Sequence, residues 1–172
     1  QVLDAMQSLY EKKLTTYPRS DCEYLPTNQL SDAPAIIKNL TKITDTDFQA
    51  LLPKADTSIQ SRCWNDKKIS AHHALIPTTV TPSYDGLSEI EQRMYLLVAK
   101  AYLAQFFPVH KYLATKIIVS CGDDTFSATG KTVTDMGWKT IYQKDHSEKE
   151  DECLTSACRR WRFCQLPGRQ GP

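Results

Sequence analysis

This sequence lacks an excess of either sign of charge. Its 172 residues hold 21 Lys+Arg against 20 Asp+Glu, which gives a net charge of +1. This balance excludes a chain that coats nucleic acid through its overall charge, so any basic binding surface must be local. Nor does any run approach the roughly 18 apolar residues of a membrane helix, and the N-terminus lacks the basic-then-apolar order of a signal peptide. We therefore expect no membrane segment and a cytoplasmic protein.

A disulfide framework and a zinc site are also missing. Of the six cysteines, Cys22, Cys63 and Cys121 stand alone, and the other three crowd into the last twenty residues at spacings unlike those of a zinc ribbon. Reduced thiols are expected, and we assign no metal ligands.

A tyrosine in a short polar run is the first candidate functional residue. Pro18 disfavours a helical backbone at Tyr17, which predicts an extended or turn conformation for the tyrosine. Arg19 follows, and its planar set of donors suits a phosphate. Ser20 and Glu23 have the spacing of a capping box, which predicts a helix that begins at Ser20. A nucleophile and a phosphate-binding group thus lie close together, although a packing role for Tyr17 remains an alternative.

Two adjacent histidines, His72 and His73, form the second candidate. No third ligand stands at zinc-like spacing, so a metal site is not indicated. His72 can donate a hydrogen bond to a phosphate, or act as a donor near Tyr17, because imidazole titrates close to neutral pH. The alternative is a surface or core histidine without a chemical role.

Together these two runs resemble the type IA DNA topoisomerases, and the topoisomerase III branch in particular. The resemblance extends from the first helix to about Lys144. The motifs that carry it are Gln7-Ser8-Leu9-Tyr10-Glu11, Thr16-Tyr17-Pro18-Arg19-Ser20-Asp21 and His72-His73-Ala74-Leu75-Ile76-Pro77-Thr78, with Leu75 where the family usually has isoleucine.

The resemblance implies that Tyr17 attacks single-stranded DNA to form a 5′-phosphotyrosine, that Arg19 binds the scissile phosphate and that His72 assists by hydrogen bonding. It also implies Mg²⁺ in the complete enzyme, held by an acidic N-terminal domain that no part of this sequence matches. We therefore expect part of an enzyme that relaxes or decatenates DNA in bacteria, but is inactive by itself. A non-catalytic single-stranded-DNA-binding remnant, a DNA-binding winged-helix module and a tyrosine recombinase, which links to the 3′ phosphate, remain alternatives.

The expected fold class is α+β. Helices are predicted for residues 2–13, near Ser31, at 46–52 and, with a capping box at Ser88 and Glu91, for 88–107, where the predicted apolar stripe is Ile90, Met94, Leu97, Val98, Ala101 and Leu103. Lys12 and Lys13 close the first helix, as a solvated end or as phosphate contacts. Strands are predicted at 112–120, 126–129 and 138–142, with turns at 122–124, 130–131 and 135–137.

Three segments follow from these patterns. Residues 1–107 are expected to form a helical, winged-helix-like domain that carries the tyrosine, and residues 108–145 a β segment of the family's arch domain within an incomplete toroidal fold. Residues 146–172 lack any amphipathic period, and a shifted or prematurely ended reading frame explains their composition as well as a designed tail does.

Overall fold

The computed structural model describes residues 1–143, which form an α+β chain divided into two compact units. The first unit comprises residues 1–109 together with 137–142, and the second contains residues 110–136. The α+β class predicted from the sequence is confirmed. No helix within residues 1–143 is long and apolar enough to cross a membrane.

Four α-helices build the first unit: α1 (Val2–Glu11), α2 (Ala33–Leu40), α3 (Thr46–Leu51) and α4 (Glu89–Leu103). All four were predicted, and their boundaries have local causes. Pro34 occupies the first turn of α2, and Asp45 caps α3 by accepting a hydrogen bond from the N–H of Phe48 (2.7 Å). Short 3₁₀ helices lie among the α-helices, at Thr27–Asp32, Leu52–Lys54, Asp66–Lys68, Tyr84–Gly86 and Ala104–Phe106.

The capping box predicted for α4 is present. Ser88 Oγ accepts a hydrogen bond from the Glu91 N–H, and the Glu91 carboxylate accepts one from the Ser88 N–H (2.8 Å). The apolar stripe predicted for α4 does not coincide with its buried face, because Ile90 is 42% and Leu97 56% exposed. The face that packs into the core instead carries Tyr95, Val98, Ala99, Tyr102 and Leu103.

One apolar core holds the first unit together, and α1 packs against α4 at its centre. Aromatic rings fill much of it: Phe106 meets Tyr102 edge to face at 5.2 Å between ring centroids and lies 6.1 Å from Trp64. The residues that are completely buried include Leu9, Ala33, Leu40, Ile43, Phe48, Tyr95, Ala99, Leu103 and Phe106.

The second unit is an antiparallel hairpin of β1 (Lys111–Cys121) and β2 (Asp124–Asp135). Its two-residue turn contains Gly122 with φ of 60°, a left-handed conformation that glycine adopts without steric cost. The predicted turn at Gly130-Lys131 is wrong: Gly130 pairs with Thr115 inside the ladder, so β2 runs unbroken. Glycine marked a point inside the strand here, not its end.

The strand predicted at 138–142 is also wrong, because Gly137–Tyr142 forms a 3₁₀ helix that belongs to the first unit. Gly137 turns the chain with φ of 50°, and the N–H of Trp138 donates to Pro108 O (2.9 Å). Ile141 is then buried in the core. Core contacts decide the conformation of this short run over its alternating pattern. The tail predicted as irregular, 146–172, lies outside the described residues.

Candidate active site

The chain leaves α1 through a left-handed turn that leads into the tyrosine segment. The N–H of Lys13 donates to Tyr10 O (2.8 Å) and the N–H of Leu14 donates to Leu9 O (2.9 Å), the two hydrogen bonds of a Schellman motif. That motif requires a left-handed residue, which is usually glycine. Here Lys13 adopts φ of 61°, at a cost of about 1–2 kcal/mol for a residue with a side chain. Because Leu9 and Leu14 are both buried, the core fixes this turn.

The two sequence motifs meet through backbone pairing. The N–H of Thr16 donates to Ile76 O (2.9 Å), and the N–H of Thr78 donates to Leu14 O (3.0 Å). The Thr16 hydroxyl adds a third link, since Thr16 Oγ1 accepts from the N–H of Ile76 (3.0 Å). The segment before the tyrosine therefore lies beside the segment after the histidines, although the two segments are far apart in the sequence.

This pairing brings Tyr17 and His72 into ring contact. Their ring centroids are 4.8 Å apart, with planes tilted by 34°. Tyr10, on the last turn of α1, also contacts Tyr17, and the two rings meet edge to face at 5.6 Å between centroids. Tyr17 is half-buried, while Tyr10 and His72 are exposed. Two ring contacts thus hold the Tyr17 side chain at a surface where it is partly open to solvent.

Arg19 lies two residues beyond Tyr17 and is exposed. Among residues 1–143 it has no hydrogen-bond or ion-pair partner, so its guanidinium is available to an anion from solvent. The structure places Arg19 on the same segment as Tyr17 but shows no contact between Arg19 and His72.

The helix predicted to begin at Ser20 is wrong. Ser20 Oγ accepts a hydrogen bond from the N–H of Cys22 (3.2 Å), which forms a tight local turn, and Glu23 makes no return bond of a capping box. The chain then runs extended, and the N–H of Leu25 donates to Cys63 O (2.7 Å). A serine side chain that accepts a hydrogen bond from the neighbouring backbone competes with helix formation. The pairing of Leu25 with Cys63 further holds this stretch out of a helix.

His73 differs from its neighbour His72 in that its ring is engaged inside the fold. Its Nδ1 lies 2.7 Å from Ala74 O and its Nε2 lies 3.2 Å from Gln29 Nε2. A neutral imidazole with the proton on Nδ1 satisfies both contacts, as donor to the carbonyl and acceptor from the amide. Of the two histidines, His72 is therefore the one whose ring faces Tyr17 and remains open to solvent.

A buried carboxylate ties the end of α1 to the start of α4. Glu91 Oε1 accepts hydrogen bonds from the Lys12 ammonium (2.6 Å) and the Ser8 hydroxyl (2.6 Å). These bonds, with those from Ser88, outweigh desolvation and lower the pKa of Glu91 to about 2. Lys12 thus has a structural partner. The Glu91 network fixes the helix end from which the tyrosine segment departs.

Sequence reasoning missed two residues of this region. Tyr10 lies within the first motif, but only the fold places it against Tyr17. The ion pair of Glu91 with Lys12 joins two residues that are far apart in the sequence. The sequence signal that could have identified Tyr10 is its place at the end of the first predicted helix, a few residues before Tyr17. Within residues 1–143 no group of three or more His, Cys, Asp or Glu side chains could hold a metal ion.

Comparison with known proteins gives consistent matches. The DNA topoisomerase family model matches residues 1–160. The chain is 40% identical over 155 residues to DNA topoisomerase 3 of Vibrio cholerae, which covers 90% of this chain and 24% of that protein. It is 36% identical to the protein of the same name from Pasteurella multocida, and that match covers 96% of this chain and 26% of that protein. It is 35% identical to the Bacillus subtilis protein, and that match covers 88% of this chain and 21% of the relative.

The chain therefore spans about a quarter of the length of the curated relatives it matches. The family match covers most of the chain and includes the tyrosine and histidine motifs that the fold brings together. The chain belongs to the type IA DNA topoisomerases and is topoisomerase III-like.

Proposed function

We propose that this chain supplies the nucleophile for the cleavage and resealing of single-stranded DNA. The phenol oxygen of Tyr17 attacks a backbone phosphorus and forms a bond to the 5′ phosphate. The phenol gives up its proton, the bond from that phosphorus to the 3′ oxygen of the preceding nucleotide breaks, and the 3′ oxygen takes up a proton to leave as a hydroxyl. Because the phosphotyrosine conserves the energy of the broken bond, the reverse reaction reseals the strand without a high-energy cofactor.

Arg19 and His72 complete the part of the site that this chain supplies. The Arg19 guanidinium donates two hydrogen bonds to the non-bridging oxygens of the scissile phosphate and stabilises the charge that develops on them. The His72 imidazole donates a hydrogen bond to the same phosphate from its place beside the phenol. Both side chains are exposed, as contact with a DNA strand requires.

The observation that carries this proposal is the contact of Tyr17 with His72 at 4.8 Å between ring centroids. The two residues come from separate motifs, and the bridge between Thr15 and Pro77 is what joins those motifs. Membership of the family gives the contact its chemical meaning, because the curated relatives are named DNA topoisomerase 3.

Magnesium belongs to the proposal only for the complete enzyme. The residues described here do not fit such an ion, since no acidic cluster of three or more ligands forms among residues 1–143. We propose that residues other than 1–143 hold the ion in the complete enzyme, and the cleavage step given for Tyr17 does not pass through it. We likewise propose that residues 1–107 are the winged-helix-like domain of a toroidal enzyme, that β1 and β2 belong to its arch, and that the enzyme acts on DNA in the bacterial cytoplasm.

A graft tests the nucleophile. Residues 1–143 replace the matching region of the Vibrio cholerae relative, and a labelled single strand is trapped with denaturant in the presence of Mg²⁺. Tyr17→Phe should abolish the covalent adduct and leave strand binding largely intact, because only the hydroxyl is lost. The matched control is Tyr10→Phe, which keeps the neighbouring ring and should keep the adduct.

Adducts that persist in the Tyr17→Phe graft would contradict the assignment. A tyrosine linked to a 3′ phosphate would favour recombinase chemistry. Binding without any adduct in the unaltered graft would favour the non-catalytic, DNA-binding alternative.

The role of Arg19 is tested in the same graft. Arg19→Lys keeps the charge but loses the paired donors, so cleavage should fall by more than strand affinity does. Equal losses would mean that Arg19 only positions the DNA.

We also propose that the chain by itself does not relax DNA. Residues 1–143 form no cluster of acidic side chains that could hold a metal ion, so these residues do not complete the site by themselves. Negatively supercoiled plasmid incubated with the chain and Mg²⁺ should stay supercoiled. The same incubation with a separately expressed acidic domain added is the comparison, and relaxation only in that sample would support the proposal. Relaxation by the chain alone would overturn this statement.

A further inference from the structure

Two adjacent lysines at the end of α1 have different environments. The Lys12 ammonium is bound by the buried Glu91 carboxylate at 2.6 Å, so its charge is already used inside the fold. Lys13 is exposed, and among residues 1–143 its ammonium has no hydrogen-bond or ion-pair partner. Lys13 is also the one residue other than glycine in the described chain with a positive φ.

We propose that the Lys13 ammonium binds a backbone phosphate of the same DNA strand that Tyr17 attacks. This inference rests on the proposed function and adds a positioning residue to it. Lysine binds phosphate as a point charge, so no fixed geometry is needed beyond reach. The contact would align the strand before cleavage.

The backbone conformation is the first argument. Glycine would close the same Schellman motif without the steric cost that a side chain incurs at φ of 61°. A strained residue at a candidate site points to a use for its side chain.

The position of Lys13 is the second argument. The residues between Lys13 and Tyr17 are paired with the histidine motif, and an extended stretch of this length spans at most about 14 Å. The Thr78 hydroxyl donates to Lys13 O, which fixes the backbone of Lys13 to that same motif. Phosphates recur every 3.4 Å or more along a strand, so a strand with one phosphate at Tyr17 has other phosphates within the distance that separates Tyr17 from Lys13.

The test uses the 172-residue chain and a fluorescent oligothymidylate, with affinity measured across a series of salt concentrations and the melting temperature measured for each variant. Lys13→Gln removes the charge, Lys13→Arg keeps it, and Lys13→Gly removes both the charge and the strain. Lys54→Gln is the control, because Lys54 is an exposed lysine at the end of a different helical segment.

Lys13→Gln should weaken binding about three- to tenfold at low salt and reduce the salt dependence, as the slope of log affinity against log salt, by about 0.7. Lys13→Arg and Lys54→Gln should keep the original slope. Lys13→Gly should weaken binding as Lys13→Gln does while it raises the melting temperature by about 2–4 °C. A gain in stability with a loss of binding separates a functional lysine from a structural one.

An unchanged affinity and slope in Lys13→Gln would overturn the inference and leave the proposed function standing. A lower melting temperature in Lys13→Gly would overturn the strain argument. Failure of the unaltered chain to bind the oligonucleotide would count against both this inference and the proposed binding of single strands.

Discussion

The two units of this chain are stabilised in different ways. The first buries large aromatic and aliphatic side chains in one core, whereas the hairpin leaves nearly all of its residues exposed, Phe126 at 61% among them. An isolated two-stranded hairpin is marginally stable in water. The first unit, whose non-helical segments carry Tyr17 and His72, therefore owes its stability to its own core, and the hairpin depends on cross-strand pairs.

The strand register adds a second contrast. On the hairpin, one face carries mainly apolar residues, and the opposite face carries Lys116 and Lys131, with the Lys131 ammonium 5.1 Å from the centre of the Tyr112 ring. Side chains on a strand alternate between faces, so both lysines lie on one face, which also carries Tyr112, Ile118 and Val133. The apolar face contains Leu113, Ile117, Val119, Phe126 and Ala128.

The same substitution in the two units gives the largest expected contrast. Phe106→Ala should lower the free energy of unfolding by about 3–5 kcal/mol, because the ring is completely buried against Tyr102 and Trp64. Phe126→Ala should change it by less than about 1 kcal/mol, since that ring is mostly in solvent. Urea unfolding followed by circular dichroism measures the first variant, and hydrogen exchange of the β1 amides measures the second. A loss of several kcal/mol in Phe126→Ala would show that the apolar face of the hairpin is covered in solution.

The two left-handed glycines provide a second matched pair. A Cβ at Gly137 would lie 2.4 Å from Pro108 O, whereas a Cβ at Gly122 would meet nothing within 4 Å. Gly122→Ala should therefore cost only the conformational strain, about 1 kcal/mol, and Gly137→Ala about 2–4 kcal/mol because the backbone must also move. Thermal unfolding of the two variants decides the matter, and equal losses would mean that the turn at Gly137 adjusts without cost.

Two glutamates on α4 allow a buried carboxylate, Glu91, to be compared with an exposed one, Glu89. Glu91→Gln should destabilise the fold by about 1–2 kcal/mol at pH 7, because it removes the charge that Lys12 and Ser8 contact. Glu89→Gln should cost less than about 0.5 kcal/mol, since the Glu89 pair with Arg93 is exposed.

The Glu91 effect should also depend on pH. A carboxyl whose pKa falls on folding, here from 4.5 to about 2, stabilises the fold above the unfolded value and loses that contribution as the pH falls through the folded one. The stability difference between the original chain and Glu91→Gln should therefore be constant above about pH 5 and shrink from there towards pH 2. A difference that stays constant down to pH 2 would contradict the role given to Lys12 and Ser8.

Local signals predicted the elements that depend on neighbouring residues. The capping box at Ser88 and Glu91 located the start of α4, and Pro34 located the first turn of α2. The failures occurred where distant contacts decide. Ser20 makes a local turn instead of starting a helix, and Gly137–Tyr142 coils because Ile141 enters the core.

The candidate site follows the same division. The residue types and order of the motifs predicted Tyr17, Arg19 and His72, and the structure brings two of these together. Local sequence could not predict that Tyr10 meets Tyr17 or that Lys12 is bound by Glu91. These contacts require the packing of α1 against α4 and the left-handed turn at Lys13.

The smallest expected effect concerns the cross-strand pair of Val119 and Phe126 on the apolar face of the hairpin. Directly opposed aromatic and β-branched side chains stabilise a sheet by about 0.2–1 kcal/mol relative to alanine. A double-mutant cycle with Val119→Ala and Phe126→Ala should give a coupling of this size, measured by hydrogen exchange of the β1 amides so that the first unit does not dominate the result. The cycle of Ile118 with Ser127, opposed on the other face, serves as the control and should give a smaller coupling. Exchange that is equally fast in all four chains of the first cycle would mean that the hairpin does not form in solution by its own contacts.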